Sequence, residues 1–135
     1  MFRLILVAAI LVSTSCNELN PPKPQPHHIV WKPLETWSGH GNQQTGNFDM
    51  SLFRWRVHWK AANDTAPGKS HFAVTVNSAV SGRDLSHIVD HDGPGEGFAD
   101  VTDDPRLYYL VISSNDLDWT VTVEEPIETG GRPQP

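Results

Sequence analysis

Three segments of this chain alternate apolar and polar residues with a period of two, and this pattern constrains the fold more than any other feature. They are FRWRVHWK (53–60), HFAVTVNS (71–78) and DWTVTVEE (118–125). A period of two places successive side chains on opposite faces of a β-strand, whereas an amphipathic helix repeats about every 3.6 residues. The pattern predicts half-buried strands whose inward residues form the core: Phe53, Trp55, Val57, Trp59, Phe72, Val74, Val76, Trp119, Val121 and Val123.

Further apolar runs and turn signals complete the predicted fold. LYYLVIS (107–113) is apolar on both faces, as a central strand is, while DLSHIV (84–89) and TGNFDM (45–50) predict shorter strands. Turn-forming residues separate the strands: Asn63-Asp64, Pro67-Gly68, Ser81-Gly82, Asp92-Gly93-Pro94-Gly95, Asp104-Pro105 and Asn115-Asp116. Many short strands between regular turns predict an all-β fold, an antiparallel β-sandwich of about six to eight strands over residues 34–125.

This predicted domain resembles a small β-sandwich that recurs in secreted bacterial proteins, with a CUB-like or jelly-roll appearance. The resemblance rests on TWSGHGNQQTGNFDM, WRVHWK and LYYLVISSNDLDWTVTVEE, and the domain covers about two thirds of the chain. It implies a fold and not an activity, because such domains share no catalytic residues to transfer to this sequence.

The charge balance narrows the classes of partner. Sixteen acidic residues stand against ten basic residues, which gives a formal net charge of −6. A general nucleic-acid binder carries a basic excess, and so does a protein that binds membranes by electrostatics. We therefore expect no nucleic-acid partner. The single cysteine, Cys16, excludes an intramolecular disulfide.

The first residues have the layout of a secretory signal peptide at 1–15. Arg3 precedes an apolar run from Leu4 to Val12, and small residues follow it up to Cys16. As a helix the apolar run spans only about 14 Å, which is too short to cross a bilayer core of about 30 Å. The segment predicts export from the cytoplasm.

The cysteine at the cleavage point resembles the lipobox of bacterial lipoproteins. That family implies lipidation of Cys16 as the first mature residue and stable membrane anchoring by its acyl chains. Ser13 departs from the family pattern, which has an aliphatic residue there. Ordinary cleavage, leaving a thiol at Cys16, is the alternative. Asn17 favours the outer membrane or cell surface, because the family's inner-membrane retention signal is Asp at that position.

Two segments flank the predicted domain. Residues 16–33 contain five prolines and predict an extended spacer with a reach of about 50 Å at about 3.1 Å per residue. Residues 126–135 (PIETGGRPQP) are rich in proline and glycine and predict a disordered tail.

The alternation in 53–60 also produces a basic stripe: Arg54, Arg56, His58 and Lys60. One interpretation is a solvated strand face whose basic side chains pair with acids on neighbouring strands, such as Glu124. The other is a surface that binds an acidic partner or a polyanionic glycan. The sequence leaves both open.

The stretch 81–104 contains seven acidic residues, of which Asp90, Asp92 and Asp100 are the candidate ligands of a calcium ion. The alternative is ordinary use of Asp and Gly in turns. His87 and His91 would lie about 13 Å apart on one extended strand, which is too far for a shared zinc ion. Ser86 and His87 would face opposite sides of that strand, and no nucleophile elbow accompanies them.

Taken together, these features predict a lipid-anchored, extracytoplasmic, non-catalytic binding module of the bacterial cell envelope. Its expected partner is an envelope protein or surface ligand. We expect no cofactor, and calcium is the one candidate for an exception. The alternatives are a glycan-binding module with outward-facing aromatic residues, a calcium-stabilised β-sandwich, and a metal-dependent hydrolase, which needs convergent His and Asp side chains.

Overall fold

The computed structural model describes residues 21, 23 and 26–130, and this part of the chain is built from nine β-strands without a helix. The strands are β1 (His28–His40), β2 (Gln43–Gln44), β3 (Phe48–Met50), β4 (Arg54–Ala62), β5 (His71–Ser78), β6 (Asp84–Asp92), β7 (Gly95–Thr102), β8 (Arg106–Asn115) and β9 (Asp118–Thr129). The predicted all-β antiparallel sandwich is confirmed. It has one strand more than expected, because the interrupted β2 and β3 lie along the same neighbour.

Two antiparallel sheets form the sandwich. Sheet A has the order β1-β9-β4-β7, and sheet B has the order β2-β8-β5-β6, with β3 also paired to β8. The predicted central strand is confirmed, since β8 lies between β5 and the β2/β3 edge. In sheet A, β4 and β9 are central, so the residues on their outer face have neighbours on both sides.

The core lies between the sheets, and the alternating segments supply most of it. Trp55, Val57 and Trp59 of β4 are buried, as are the predicted inward residues of β5 and β9. Trp55 packs against the rings of Phe48 and Tyr108, with centroids 5.4 Å and 5.1 Å away. These aromatic contacts add to the free energy that apolar burial contributes.

The position of Phe53 corrects one core prediction. Its side chain is 63% exposed, because β4 begins one residue later, at Arg54. The core at this end of the sandwich is already filled by three buried side chains, Met50, Trp55 and Tyr108, and does not need Phe53. Phe53 therefore lies in the loop between β3 and β4, where its carbonyl oxygen accepts a hydrogen bond from the backbone N–H of Asp103.

The folded unit extends beyond the limits 34–125 predicted from the sequence. Residues 28–33 pair with residues 124–129 along the β1–β9 ladder. Pro33 is tolerated because β1 is an edge strand with a register shift between Pro33 and Glu35, and Pro126 is tolerated because it lies beyond the β4–β9 ladder, which ends at Glu124. The predicted signal peptide (1–15), Cys16 and residues 131–135 lie outside the described residues.

Strand β7 lies in the second half of the acidic stretch 81–104, for which the sequence predicts no strand. Its two glycines, Gly95 and Gly97, are unfavourable in strands and therefore hide the strand pattern in the sequence. They are nevertheless needed for packing. A Cβ atom on Gly97 would lie 3.2 Å from the Trp59 ring, and one on Gly95 would lie 2.7 Å from His91. The strand thus uses glycine where the Trp59 indole approaches the backbone closely.

The register places the loops at two opposite ends of the sandwich. We call one the terminal end, because it holds the start of β1 and the end of β9 together with loops 51–53, 79–83 and 103–105. The far end holds residues 41–42, 63–70, 93–94 and 116–117.

Among the described residues, no helix is long and apolar enough to span a bilayer.

Tyr108 links the core to the terminal end through its hydroxyl group. The hydroxyl donates to the Asp104 carbonyl oxygen at 2.5 Å and lies 3.1 Å from Asp103 Oδ2. Burial, reinforced by the hydrogen bond and the negative charge of Asp103, raises the pKa of Tyr108 from 10.0 to about 12.

This shift predicts alkaline destabilisation. Because the folded-state pKa lies above the unfolded one, the stabilisation is complete below pH 10 and is lost as the pH rises towards 12. The free energy of unfolding should fall by up to about 1.4 kcal/mol per pH unit in that window. In urea titrations, Tyr108→Phe should flatten this part of the profile relative to wild type, whereas the control Tyr109→Phe should not. Parallel profiles for wild type and Tyr108→Phe would contradict the assignment.

Candidate interaction face of the four-stranded sheet

The basic stripe lies on the outer face of sheet A, because its members alternate with the buried residues of β4. Cross-strand pairing fixes their neighbours. Arg56 lies between Glu124 of β9 and Asp100 of β7, and His58 lies between Thr122 and Phe98. The stripe is therefore a row within a mixed polar and aromatic surface, which we call the outer face.

Arg56 is held inside this surface. Its Nε donates to Glu124 Oε2 at 2.5 Å, and the two side chains are only 20% and 11% exposed. Its guanidinium carbon lies 4.2 Å from the centroid of the Trp31 ring and 4.0 Å from that of Phe98. Such stacking stabilises a guanidinium group and fixes its plane. Arg56 thus joins β1, β9 and β7 across β4.

His58 continues the stack on the same face. Its ring lies 4.5 Å from the Phe98 ring with an interplanar angle of 22°, and its Nε2 is 2.8 Å from Glu96 Oε1. Phe98 is 56% exposed although it contacts both basic groups. The centre of the outer face therefore presents an aromatic ring to solvent on a support of fixed side chains.

Arg54 and Lys60 mark the two ends of the stripe, and both are exposed. Within the described chain, neither has a carboxylate within 4.0 Å. Arg54 is also more loosely placed over Trp31, at 5.6 Å from the ring centroid. Six residues of strand separate these two cations by about 20 Å. The stripe thus consists of two internally paired members and two whose charges face solvent.

Hydroxyl and acidic groups complete the outer face towards the far end. Thr36 pairs with Thr122, and Ser38 with Thr120, each at 3.0 Å between hydroxyl oxygens. Asp118 accepts a hydrogen bond from Asn63 Nδ2 at 2.7 Å and lies 2.7 Å from His40 Nδ1. These two contacts, that with Asn63 above all, lower the pKa of Asp118.

The candidate calcium ligands are not brought together. Asp90 and Asp92 lie on β6 of sheet B, and Asp100 lies on β7 of sheet A, next to Arg56. His71 occupies the space between the first two: its Nε2 is 2.8 Å from Asp90 and its Nδ1 is 2.7 Å from Asp92. In the described part of the chain, no group of three or more His, Cys, Asp or Glu side chains has the geometry of a metal site.

The remaining histidines of β6 face different surroundings. His87 Nδ1 is 2.8 Å from the Thr75 hydroxyl, whereas His91 is half-buried with its ring centroid 5.1 Å from that of Trp59. Both lie on the extended strand β6, which is the condition under which they are too far apart to share a zinc ion. They have separate partners rather than a common ligand.

Two residues of the outer face escaped sequence reasoning. Trp31 lies in the segment predicted to be a spacer, and Phe98 lies in the acidic stretch 81–104, in a part for which no strand is predicted. Glu124 is predicted as a cross-strand partner of the stripe, and its pairing with Arg56 confirms this prediction. The signal in the sequence was the alternation in GFADVT (97–102), which places Phe98 and Asp100 on one face. The positions of Trp31 and Glu124 beside Arg56 depend on the register between strands that are far apart in the chain, which the local sequence does not show.

Comparison with known proteins finds no family model that matches the chain, and no significant match among curated proteins or solved structures.

Proposed function

We propose that the protein is a lipid-anchored, extracytoplasmic interaction module of the cell envelope that binds an envelope protein through the outer face of sheet A. The observation that carries this proposal is the position of Phe98. It is an exposed aromatic ring, supported by Arg56 and His58, and it lies between the solvent-facing cations Arg54 and Lys60.

The chemistry of this face favours a protein partner with carboxylates around an apolar contact. Aromatic and arginine side chains are enriched among residues that dominate protein–protein binding. Arg54 and Lys60 supply charge for acidic groups on the partner, and their position at the ends of the face sets orientation and association rate. Arg56 and His58 are already paired, so their role is to hold Phe98.

The strand order supports the jelly-roll resemblance within this proposal. If β2 and β3 count as one interrupted strand, the two sheets contain four strands each, and every connection crosses from one sheet to the other except that between β5 and β6, which are neighbours in sheet B. Eight strands in two such sheets are typical of a jelly roll. The fold leaves the outer faces of both sheets available for binding without adding catalytic groups.

The glycan-binding alternative has less support on this face. None of the five tryptophans offers an open ring for sugar stacking: Trp55, Trp59 and Trp119 are at most 8% exposed, Trp37 packs against Phe48 and the core, and the Trp31 ring lies beneath two guanidinium groups. Phe98 is then the one open aromatic ring of this face.

A hydrolase has less support as well. His71 and Asp92 line a pocket at the far end together with Asp64 and Ser70, but both ring nitrogens of His71 are paired with Asp90 and Asp92, and the Ser70 hydroxyl donates to Asp64. Neither the histidine nor the serine of this pocket is therefore left to face a substrate as base or nucleophile.

Zero-length cross-linking tests the proposed partner. A carbodiimide applied to membranes from cells that make the tagged full-length protein joins the Lys60 amine directly to a neighbouring carboxylate. We expect one envelope protein to be captured, with a cross-linked peptide that contains Lys60 and an Asp or Glu of the partner. Lys60→Arg, which keeps the charge, should retain the complex by non-covalent pull-down but lose the cross-link.

Charge reversal distinguishes the outer face from the rest of the surface. Arg54→Glu with Lys60→Glu should abolish capture, because both contacts to acidic groups become repulsive. Lys69→Glu with Arg83→Glu makes the same change in net charge at exposed positions away from this face and should leave capture intact. Equal capture by both double variants, or loss in both, would contradict the proposal.

A further inference from the structure

The exposed large hydrophobic side chains of the described chain are concentrated at one end of the sandwich. Eight such residues are exposed, and seven of them lie at the terminal end: Ile29, Val30, Leu52, Phe53, Val80, Leu107 and Ile127. The eighth, Phe98, belongs to the outer face. Val80 and Phe53 are the most exposed, at 86% and 63%, and both occupy loops.

The far end has the opposite character. Its turns contain Asn42, Asn63, Lys69, Pro94 and Asp116, and none of the exposed large hydrophobic residues lies there. A contiguous apolar surface on a small domain indicates an interaction site, whereas apolar residues scattered singly need no explanation. Here the exposed apolar residues are concentrated at one end of the strands rather than scattered over the surface.

The chain preceding the domain emerges at this same apolar end. β1 begins at His28, next to Ile29, and the proposed lipid anchor at Cys16 is 12 residues earlier. Twelve residues span at most about 43 Å when fully extended. The far end lies one length of β1 away, which is also about 43 Å for its 13 residues. A tether of this length therefore allows the terminal end to reach the lipid in many conformations, whereas it allows the far end to do so only when it is fully extended.

From this juxtaposition we infer that the terminal end of the sandwich rests on the lipid bilayer, with the apolar loop residues Phe53 and Val80 inserted at the level of the headgroups. The inference rests on the proposed anchor at Cys16. It adds an orientation. The strands run roughly along the membrane normal, and the outer face of sheet A faces the space beside the domain, where a neighbouring envelope protein can contact it.

Charges of both signs lie side by side at this end, which agrees with contact driven by apolar burial rather than by electrostatics. Arg106 Nη2 lies 3.3 Å from Asp103 Oδ1 and 3.9 Å from Asp104 Oδ2. A shallow pocket of about 380 Å³ at this end is lined by Ile29, Leu52, Phe53, Pro126, one basic residue (Arg54) and one acidic residue (Glu128). A chain with a net charge of −6 gains nothing from anionic lipid, but apolar side chains at a surface lower their free energy by burial at the acyl boundary. The lipid anchor supplies the proximity that these few side chains need.

Photo-cross-linking to lipid tests the orientation. Full-length mature protein is reconstituted in vesicles of phosphatidylcholine and phosphatidylglycerol that contain a diazirine-tagged phospholipid, and adducts are mapped by mass spectrometry after irradiation. We expect adducts in loops 51–53 and 79–83 and none in 63–70 or 93–94. Phe53→Ser with Val80→Ser should lose the adducts in both loops, whereas Phe98→Ser, at a comparably exposed position, should keep them.

Two results would overturn the inference. One is a map in which adducts are equally frequent at both ends or confined to residues 17–27. The other is cross-linking of a photoreactive residue introduced at position 53 or 80 to a second copy, or to residues 16–27 of the same chain, without lipid adducts in these loops.

A separate measurement distinguishes a missing lipid anchor at Cys16 from a wrong orientation of the domain. The intact mass of the isolated protein reports whether Cys16 carries acyl chains. If it does not, its thiol is coupled to a maleimide phospholipid, so the same tether is present and the adduct map still decides the orientation.

Discussion

Replacing Arg56 by alanine is expected to lower the free energy of unfolding by about 3 kcal/mol, although the residue is part of a surface stripe. Glu124 is 9% exposed in the middle of sheet A, and its hydrogen bond to Arg56 Nε is the side-chain contact that compensates for its burial. Removal of the guanidinium group leaves this carboxylate desolvated and unpaired. It also removes the cation from between the Trp31 and Phe98 rings, where it lies 4.2 Å and 4.0 Å from the centroids.

A double-mutant cycle measured by urea denaturation checks this result. Arg56→Met combined with Glu124→Leu should recover most of the loss, because neither a charge nor an unpaired acceptor then remains in the sheet. Lys60→Ala, on the same strand and face but exposed, should change stability by less than about 0.5 kcal/mol. If Arg56→Ala were as mild as Lys60→Ala, the Arg56–Glu124 pair would not hold the sheet as described.

Replacing Cys16 by alanine is expected to abolish acylation and to release the protein from the membrane. Stable anchoring needs two or more acyl chains, and the thiol of Cys16 is the attachment point in the lipoprotein interpretation. The apolar terminal end alone presents only a few side chains, so it should not hold the domain on the membrane without the tether. Metabolic labelling with a clickable fatty acid and cell fractionation measure both effects.

Ser15→Ala is the matched control for that experiment, since it keeps a small residue before the cysteine. It should leave label and fractionation as in wild type. Absence of fatty-acid label on wild-type protein would contradict lipidation. So would a Cys16→Ala chain that remains labelled.

The structure divides the basic stripe into two pairs of residues with different surroundings. Arg56 and His58 are paired with Glu124 and Glu96, which is the solvated-face interpretation with cross-strand acids. Arg54 and Lys60 retain exposed charges, which keeps the binding interpretation open for them alone. Variants of Arg56 would confuse loss of binding with loss of stability, so tests of partner binding belong at Arg54 and Lys60.

The sequence by itself determined the fold class and most of the core. Alternation in β4, β5 and β9 fixed which residues are buried, because a strand's period of two leaves only one choice of face once the aromatic and aliphatic residues must leave water. Turn-forming residues marked the loops at 63–70, 93–94 and 116–117 for an equally local reason, since their backbone preferences act within a few residues.

Only the tertiary structure determined which residues from distant parts of the chain are neighbours. The stack of Trp31, Arg56 and Phe98 joins residues from three strands far apart in the chain, and the separation of Asp90 from Asp100 results from β6 and β7 belonging to different sheets. The apolar terminal end likewise collects residues from positions 29 to 127. These juxtapositions depend on register and sheet order, which are set by the summed packing of the whole sandwich and leave no local trace in the sequence.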